Sequence, residues 1–135
     1  MDTKEKDKRR KALGRRGEDI ACALLKELGC ELLQRNFRAG HKELDLIFRQ
    51  GNDLRFVEVK TRKLPMEGEP WEAVNFRKQR NISSAASRFI ASEAFRSLGI
   101  ALGEVHFDIV TVVWTEDGQD YRTEIISDAF YPIFT

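Results

Sequence analysis

Cysteine, proline and long apolar runs are all scarce in this sequence, and each scarcity removes a class of protein. Two cysteines, Cys22 and Cys30, supply neither a disulfide framework nor a zinc-ligand set. The first falls in an expected helix and the second at the start of an expected strand, so both read as reduced packing residues. No apolar stretch approaches the length of a bilayer span. The basic N-terminus does not read as a signal peptide, because Ala12-Leu13 runs at once into Gly14-Arg15-Arg16 without a continuous apolar core. The expected compartment is therefore the cytoplasm. Helix-turn-helix and zinc-finger patterns are missing, which argues against sequence-specific base readout.

What is there amounts to 135 residues, 41% hydrophobic and 33% charged, the balance of a soluble domain that buries its own core. The formal net charge is +1, yet residues 1–16 hold eight Lys or Arg against three Asp or Glu. Residues 1–12 read as a basic, flexible N-terminal arm and residues 13–135 as a single domain. Such an arm suits phosphate contact, although a solvated terminus has the same composition.

Leu13, Gly17, Ile20, Ala21, Leu24, Leu25 and Leu28 recur at helical spacing up to Gly29, which predicts an amphipathic helix with a glycine stop. Glu18 lies at the edge of its apolar face. It either reaches into a site beneath the helix or is a first-turn acid favoured by the helix dipole. Residues 30–37 read as a first strand. Two alternating runs then flank Gly51-Asn52, the signature of a β-hairpin with a tight turn. On the first run Leu44, Leu46 and Phe48 are expected on one face, with Glu43, Asp45, Ile47 and Arg49 on the other. A turn centred on Gly51-Asn52 sets Gln50 against Asp53, Ile47 against Phe56, Asp45 against Glu58 and Glu43 against Lys60. Residues 62–71, ending at Trp71, read as a loop beside the charged strand ends. A helical pattern runs from Glu72 to about Leu98, with Ala73, Val74, Phe76, Ile82, Ala85, Ala86, Phe89, Ile90 and Phe95 as core candidates and a break expected near residues 81–84. Residues 104–114 are apolar on both faces, as in a strand covered by helices on both sides. Asp108 within it calls for a buried partner. Residues 121–126 read as a returning edge strand, and the aromatics of residues 128–132 as packed on the body.

The opposed carboxylates Asp45 and Glu58 repel unless something positive sits between them. Together with Glu18 and Lys60 they form an all-oxygen acidic set with one ammonium, and that set selects a hard cation, Mg2+ or Mn2+, over zinc. Asp45 and Glu58 would be direct ligands, the Val59 carbonyl a third, and Glu18 a ligand through water or to a second ion. Such ions act on phosphates by polarising them and activating water, and Lys60 would orient the attacking oxygen or stabilise the growing charge. The competing reading is an exposed sheet face with a Glu43–Lys60 cross-strand pair. Arg77, Lys78 and Arg80 on the following helix would meet phosphates, or form a solvated helix face.

The runs Gly14-Arg-Arg-Gly-Glu18-Asp-Ile-Ala, Gln34-Arg-Asn-Phe-Arg38, Glu43-Leu-Asp-Leu-Ile47, Phe56-Val-Glu-Val-Lys-Thr-Arg62, Glu72-Ala-Val-Asn, Lys78-Gln-Arg, His106-Phe-Asp-Ile-Val and Asp128-Ala-Phe130 resemble the YraN-like family of bacterial predicted endonucleases. The resemblance covers nearly all of the chain after the basic arm. It implies an α/β fold of the three-layer αβα, restriction-endonuclease-like kind, with a central mixed sheet flanked by helices, in the PD-(D/E)XK superfamily and similar to archaeal Holliday junction resolvases. Asp45 then takes the place of the motif aspartate, Glu58-Val59-Lys60 that of the (D/E)XK triplet and Glu18 that of the helix carboxylate, with Lys78 and Gln79 near the substrate phosphate. Two positions depart from the family pattern: Lys42 stands where Gly is usual and His106 where Arg is usual. The expected function is a Mg2+- or Mn2+-dependent endonuclease acting on branched or structured DNA in recombination or repair. Arg15, Arg16, Arg38, Arg62, Arg77, Lys78, Gln79 and Arg80 would hold the nucleic acid by structure, not sequence. Resolvase-like enzymes often act as dimers, so a homodimer is compatible with the resemblance. The alternative is a non-catalytic nucleic-acid-binding or partner-docking protein on the same scaffold.

Overall fold

The computed structural model describes residues 2–65 and 74–133. Helix α1 spans Thr3–Glu27, strands β1, β2 and β3 span Glu31–Ala39, Lys42–Gln50 and Asp53–Lys63, helices α2 and α3 span Phe76–Ile90 and Glu93–Arg96, and strands β4 and β5 span Val105–Trp114 and Tyr121–Phe130. Trp71, Glu72 and Ala73 lie outside the described residues, as does most of the expected loop over residues 62–71.

Helix α1 begins well before the first apolar position. The Asp2 side chain accepts a 2.8 Å hydrogen bond from the Glu5 amide, satisfying an orphan donor at the helix start, and the exposed basic segment up to Lys11 forms its first turns. Its end is set by Gly29 at φ +90°. The Cys30 amide donates to the Leu25 carbonyl and the Gly29 amide to that of Lys26, a Schellman closure for which glycine has no Cβ penalty.

The strands form one mixed sheet in the order β1-β2-β3-β4-β5, antiparallel except for β3 with β4. Ala21, Cys22 and Leu25 of α1 cover one face, packing on Leu46, Phe48, Val57, Val110, Val112 and Trp114. Ile82, Ala85, Ala86 and Phe89 of α2, with Phe95 of α3, cover the other over Ile47, Leu54, Phe56, Phe107 and Ile109. The architecture is the three-layer αβα arrangement expected. Strand β4 is buried along most of its length because helices lie on both sides of it, which is why its sequence lacks alternation.

Several local expectations give way to packing. Helix α2 is unbroken through residues 81–84: Asn75 caps it by accepting from the Lys78 amide, and the Ser83 hydroxyl donates back to the Gln79 carbonyl without opening the turn. The interruption comes at Ala91-Ser92, where Ser92 caps α3. Phe76, expected in the core, is 61% exposed because it sits on the first turn, beyond the sheet-facing stripe. Strand β5 continues past Ile126 to Phe130. In the C-terminal segment Phe130 stacks on Phe107 at 5.2 Å between ring centroids, whereas Tyr131 is exposed.

Asp108 finds its partner in Arg55, whose Nη1 lies 2.9 Å from Oδ2, and its Oδ1 accepts from the Asp128 amide at 2.9 Å. The buried charge is thereby paired and hydrogen-bonded, as a carboxylate inside a sheet requires.

One glycine sets how closely α1 approaches the sheet. A Cβ at Gly17 would collide with Thr61 Oγ1 on β3, and a β-branched side chain has little rotamer freedom with which to move away. Gly17→Ala should therefore lower stability by about 1–2 kcal/mol despite alanine's better helix propensity. The Gly17→Ala/Thr61→Ala double variant should recover most of that loss, and equilibrium urea unfolding of the three proteins measures it. A stable single variant would show that α1 does not depend on this contact.

Candidate active site

The hairpin follows the turn. Gly51, at φ +61°, occupies the first central position as in a type II′ turn, and Gln50 faces Asp53, Ile47 faces Phe56 and Leu46 faces Val57. The ladder ends there. Asp45 and Glu58 are not backbone partners as the register arithmetic had extended them; instead Asp45 Oδ2 accepts a 2.8 Å hydrogen bond from the Val59 amide. The side chain takes the place of the ladder, and β2 diverges from β3. The divergence also corrects the face assignment of β2: Leu44 packs in the α2-side core, while Leu46 and Phe48 pack in the α1-side core.

Asp45 and Glu58 are nonetheless neighbours. Burial, then the Glu58 charge, push Asp45 up to about 7, against the lowering effect of the Val59 hydrogen bond. Glu58 is buried and is met by two ammonium groups, Lys60 Nζ at 3.4 Å and Lys78 Nζ at 3.3 Å. Lys60 arrives from the same strand two residues on and Lys78 from the first turn of α2. The expected Glu43–Lys60 pair is replaced by these contacts. Glu43 lies 3.7 Å from Arg38.

Glu18 reaches the site from the α1 side of the sheet. Burial raises its pKa, partly offset by the Arg35 guanidinium, and Glu43 raises it further. Arg35 Nη2 lies 3.7 Å from its Oε1. With its amide oriented to donate, Asn36 bridges Glu18 Oε1 at 3.3 Å and Glu43 Oε1 at 3.2 Å, from a backbone at φ +52°. Arg35, Asn36 and Glu43 are thus parts of the site that sequence reasoning did not assign. Arg35 and Asn36 are marked in the sequence only by their place in the Gln34–Arg38 run, whereas alternation puts Glu43 on the same strand face as Asp45. Of Val59, the amide is the group that meets Asp45.

The expected nucleic-acid contacts are dispersed. Arg16 stacks its guanidinium 4.4 Å above the Trp114 ring, while Arg62 donates to the Thr61 carbonyl and Gln79 to that of Val74. Arg15, Arg38, Arg77 and Arg80 are exposed.

A second acidic group lies at the start of β3. Asp53, Glu104 and His106 place one donor atom each within 4.8 Å of one another and could hold a metal ion. The parallel pairing that sets Leu54 beside Val105 brings them together across 51 residues of sequence, so no local spacing announces the group. His106 Nδ1 lies 2.7 Å from Asp128 Oδ1 and Nε2 lies 3.2 Å from Asp53 Oδ2. Burial alone would lower the imidazole's pKa, but these bonds outweigh it and raise it.

Two outcomes follow from these shifts. An acid whose folded pKa is raised releases its proton more readily when unfolded, so Asp45 lowers stability as pH rises from about 4 to about 7. In chelator at pH 8, Asp45→Asn, which keeps an acceptor for the Val59 amide, should melt roughly 5 °C above the wild type; an equal or lower melting temperature would contradict the buried repulsion. For His106 the sign is opposite. Its stabilisation is complete below the ordinary imidazole pKa and lost as pH rises through the higher folded value. The stability gap between wild type and His106→Gln should therefore be larger at pH 5.5 than at pH 9 in denaturant titrations.

A model of the Uncharacterised protein family UPF0102 matches residues 17–112, a span that contains Glu18, Asp45, Glu58 and Lys60. Similar chains include UPF0102 proteins from Rhodococcus jostii, 43% identical over 119 residues covering 88% of this chain and 96% of that one, and from Bacteroides thetaiotaomicron, 40% identical over 120 residues covering 89% and 93%. A third, from Chloroherpeton thalassium, is 39% identical over 120 residues covering 89% of each. With a family model matched over most of its length and relatives of this similarity aligned over nearly all of theirs, the chain belongs to the UPF0102 family.

Proposed function

We propose that the protein is a divalent-metal-dependent endonuclease that hydrolyses phosphodiester bonds in branched or otherwise structured DNA. The observation that carries this reading is the Asp45–Glu58 pair, a half-buried carboxylate beside a buried one, where desolvation and then the Glu58 charge push Asp45 up to about 7, with Lys60 and Lys78 at Glu58. Like charges buried together are relieved by a shared cation. The donors at that point are carboxylate oxygens, with no thiolate or imidazole described among them, which suits Mg2+ or Mn2+.

Asp45 and Glu58 would hold the ion, which when bound supplies Lewis-acid polarisation of a phosphate. The hydrogen bond from the Val59 amide fixes the direction of the Asp45 carboxylate. Lys60, 3.4 Å from Glu58, would donate to the attacking or non-bridging oxygen, where charge grows in the transition state. Lys78 balances Glu58 while the site is empty of substrate and turns to phosphate when one arrives. Glu18, held by Arg35 and Asn36, is an outer carboxylate of the same site. Contact through phosphates, without base readout, makes recognition one of shape.

Among supercoiled, linear and four-way-junction DNA, the junction should be cut fastest with Mg2+ or Mn2+, and all three should remain intact in chelator. Asp45→Asn and Lys60→Ala should each lose roughly 100-fold or more in rate, read on gels under single-turnover conditions. Equal cutting by Asp45→Asn and wild type would overturn the assignment.

A further inference from the structure

Beside the carboxylate–lysine site, and separate from it, the start of β2 and the outer stripe of α2 enclose an open cavity of about 500 Å³, lined by His41, Lys42, Arg77, Arg80, Ser84 and Ser87 among others. Its chemistry is one-sided. Two guanidinium groups, an ammonium, an imidazole and two hydroxyls face it, and among the described residues no carboxylate lines it. Among the described residues none of Lys42, Arg77 and Arg80 is in an ion pair, whereas Lys60 and Lys78 nearby are both paired to Glu58. Lys42 donates to Ser84 Oγ at 3.0 Å, so the two walls are tied and the ammonium is already turned toward the hydroxyl wall. Arg77, Arg80, Ser84 and Ser87 recur at helical spacing along one stripe of α2, which aims them at one place.

Three cations without an ion-pair partner among the described residues converge from two elements on one concavity, an arrangement that suits an anion. The volume lies in the range of small-molecule pockets and far exceeds the ~30 Å³ share of a water molecule, leaving room for a phosphate together with the sugar and base that carry it. A phosphomonoester, at −1.5 to −2 and with three strong acceptor oxygens, matches that charge better than the single charge of a backbone phosphodiester. The place fits as well. Lys42 is three residues from Asp45, about 10 Å along the strand, and Ser84 is six residues from Lys78, about 9 Å along the helix. An offset of that size would put a strand end within a few nucleotides of the cleavage site.

We propose that this pocket binds the terminal phosphate of a nucleic-acid strand, so that a phosphorylated strand end is a recognition element alongside the cleavage site. The identity of the ligand as nucleic acid rests on the endonuclease reading; the anion chemistry of the pocket does not.

The test is equilibrium binding in chelator, by fluorescence anisotropy, of three oligonucleotides of one sequence ending in a 5′-phosphate, a 3′-phosphate or hydroxyls at both ends. One phosphorylated end should bind at least about tenfold tighter than the hydroxyl form, and which end does so identifies the polarity of the strand in the pocket. Arg80→Ala and Lys42→Ala should bring that ratio close to one, while Arg122→Ala, on the exposed part of β5, should leave it intact. Equal affinity for all three oligonucleotides in the wild type would overturn the proposal, as would persistence of the ratio in both pocket variants. Thymidine 3′,5′-bisphosphate should shift the amide resonances of Lys42 and Ser84, and no shift there at saturating bisphosphate would also overturn it. Cutting with Mg2+ is scored separately: a protein that cuts but ignores the end phosphate retains the endonuclease reading and loses the pocket, and one that prefers the phosphorylated end but never cuts does the reverse.

Discussion

The hydrogen bond from the Val59 amide to the Asp45 carboxylate is the constraint on which the site depends. It does two things that oppose each other energetically. As a charge-assisted bond it is worth about 1.5–3 kcal/mol and fixes the carboxylate. By replacing a ladder bond it also draws that carboxylate into the sheet beside buried Glu58. The position of the Asp45 pKa near 7 decides which effect is larger, because a carboxylate dominated by its hydrogen bond would titrate below its ordinary value. Burial and repulsion win. The folded chain thus holds an unrelieved electrostatic demand at one point, and the two lysines on Glu58 meet only part of it.

The surroundings transmit that constraint from three layers. Gly17 lets α1 lie against Thr61, the residue after Lys60, and this close approach brings Glu18 to the end of the sheet where β2 and β3 part. Arg35 and Asn36 on β1 then restrain Glu18 from the edge. From the opposite layer, the Asn75 cap fixes the first turn of α2 and with it Lys78. A hairpin alone would present its charges to solvent; helices on both faces turn them into a site.

How far the sequence could be read depended on whether the determining contact was local. The Gly51-Asn52 turn fixed the hairpin register correctly as far as Leu46 and Val57, because turn geometry propagates along a ladder. Beyond them a side chain replaced a backbone bond, which no alternation pattern reveals, and Leu44 changed faces. The apolar run of β4 was legible as a strand covered on both sides, and the need of Asp108 for a partner was legible as well. Arg55 as that partner was not, since it lies 53 residues away in sequence and meets Asp108 only through the parallel pairing of β3 with β4. The Asp53, Glu104 and His106 group was hidden for the same reason. Phe76 shows the converse error: helical periodicity counts an aromatic as core, but a position on the first turn can lie beyond the sheet it would cover.

Asp128 carries a consequence for the outer rim of the sheet. Pairing between β4 and β5 slips between Phe107 and Ile109, where Asp128 sits at φ +51°, gives its amide to Asp108 and its carboxylate to His106. Buried Asp108 and half-buried His106 therefore hold a bulge in an edge strand, and a bulge bends the row of unpaired backbone groups that an edge otherwise offers to another chain. The same polar contacts that settle a charge in the interior make β5 a poor template for fibre-like strand addition.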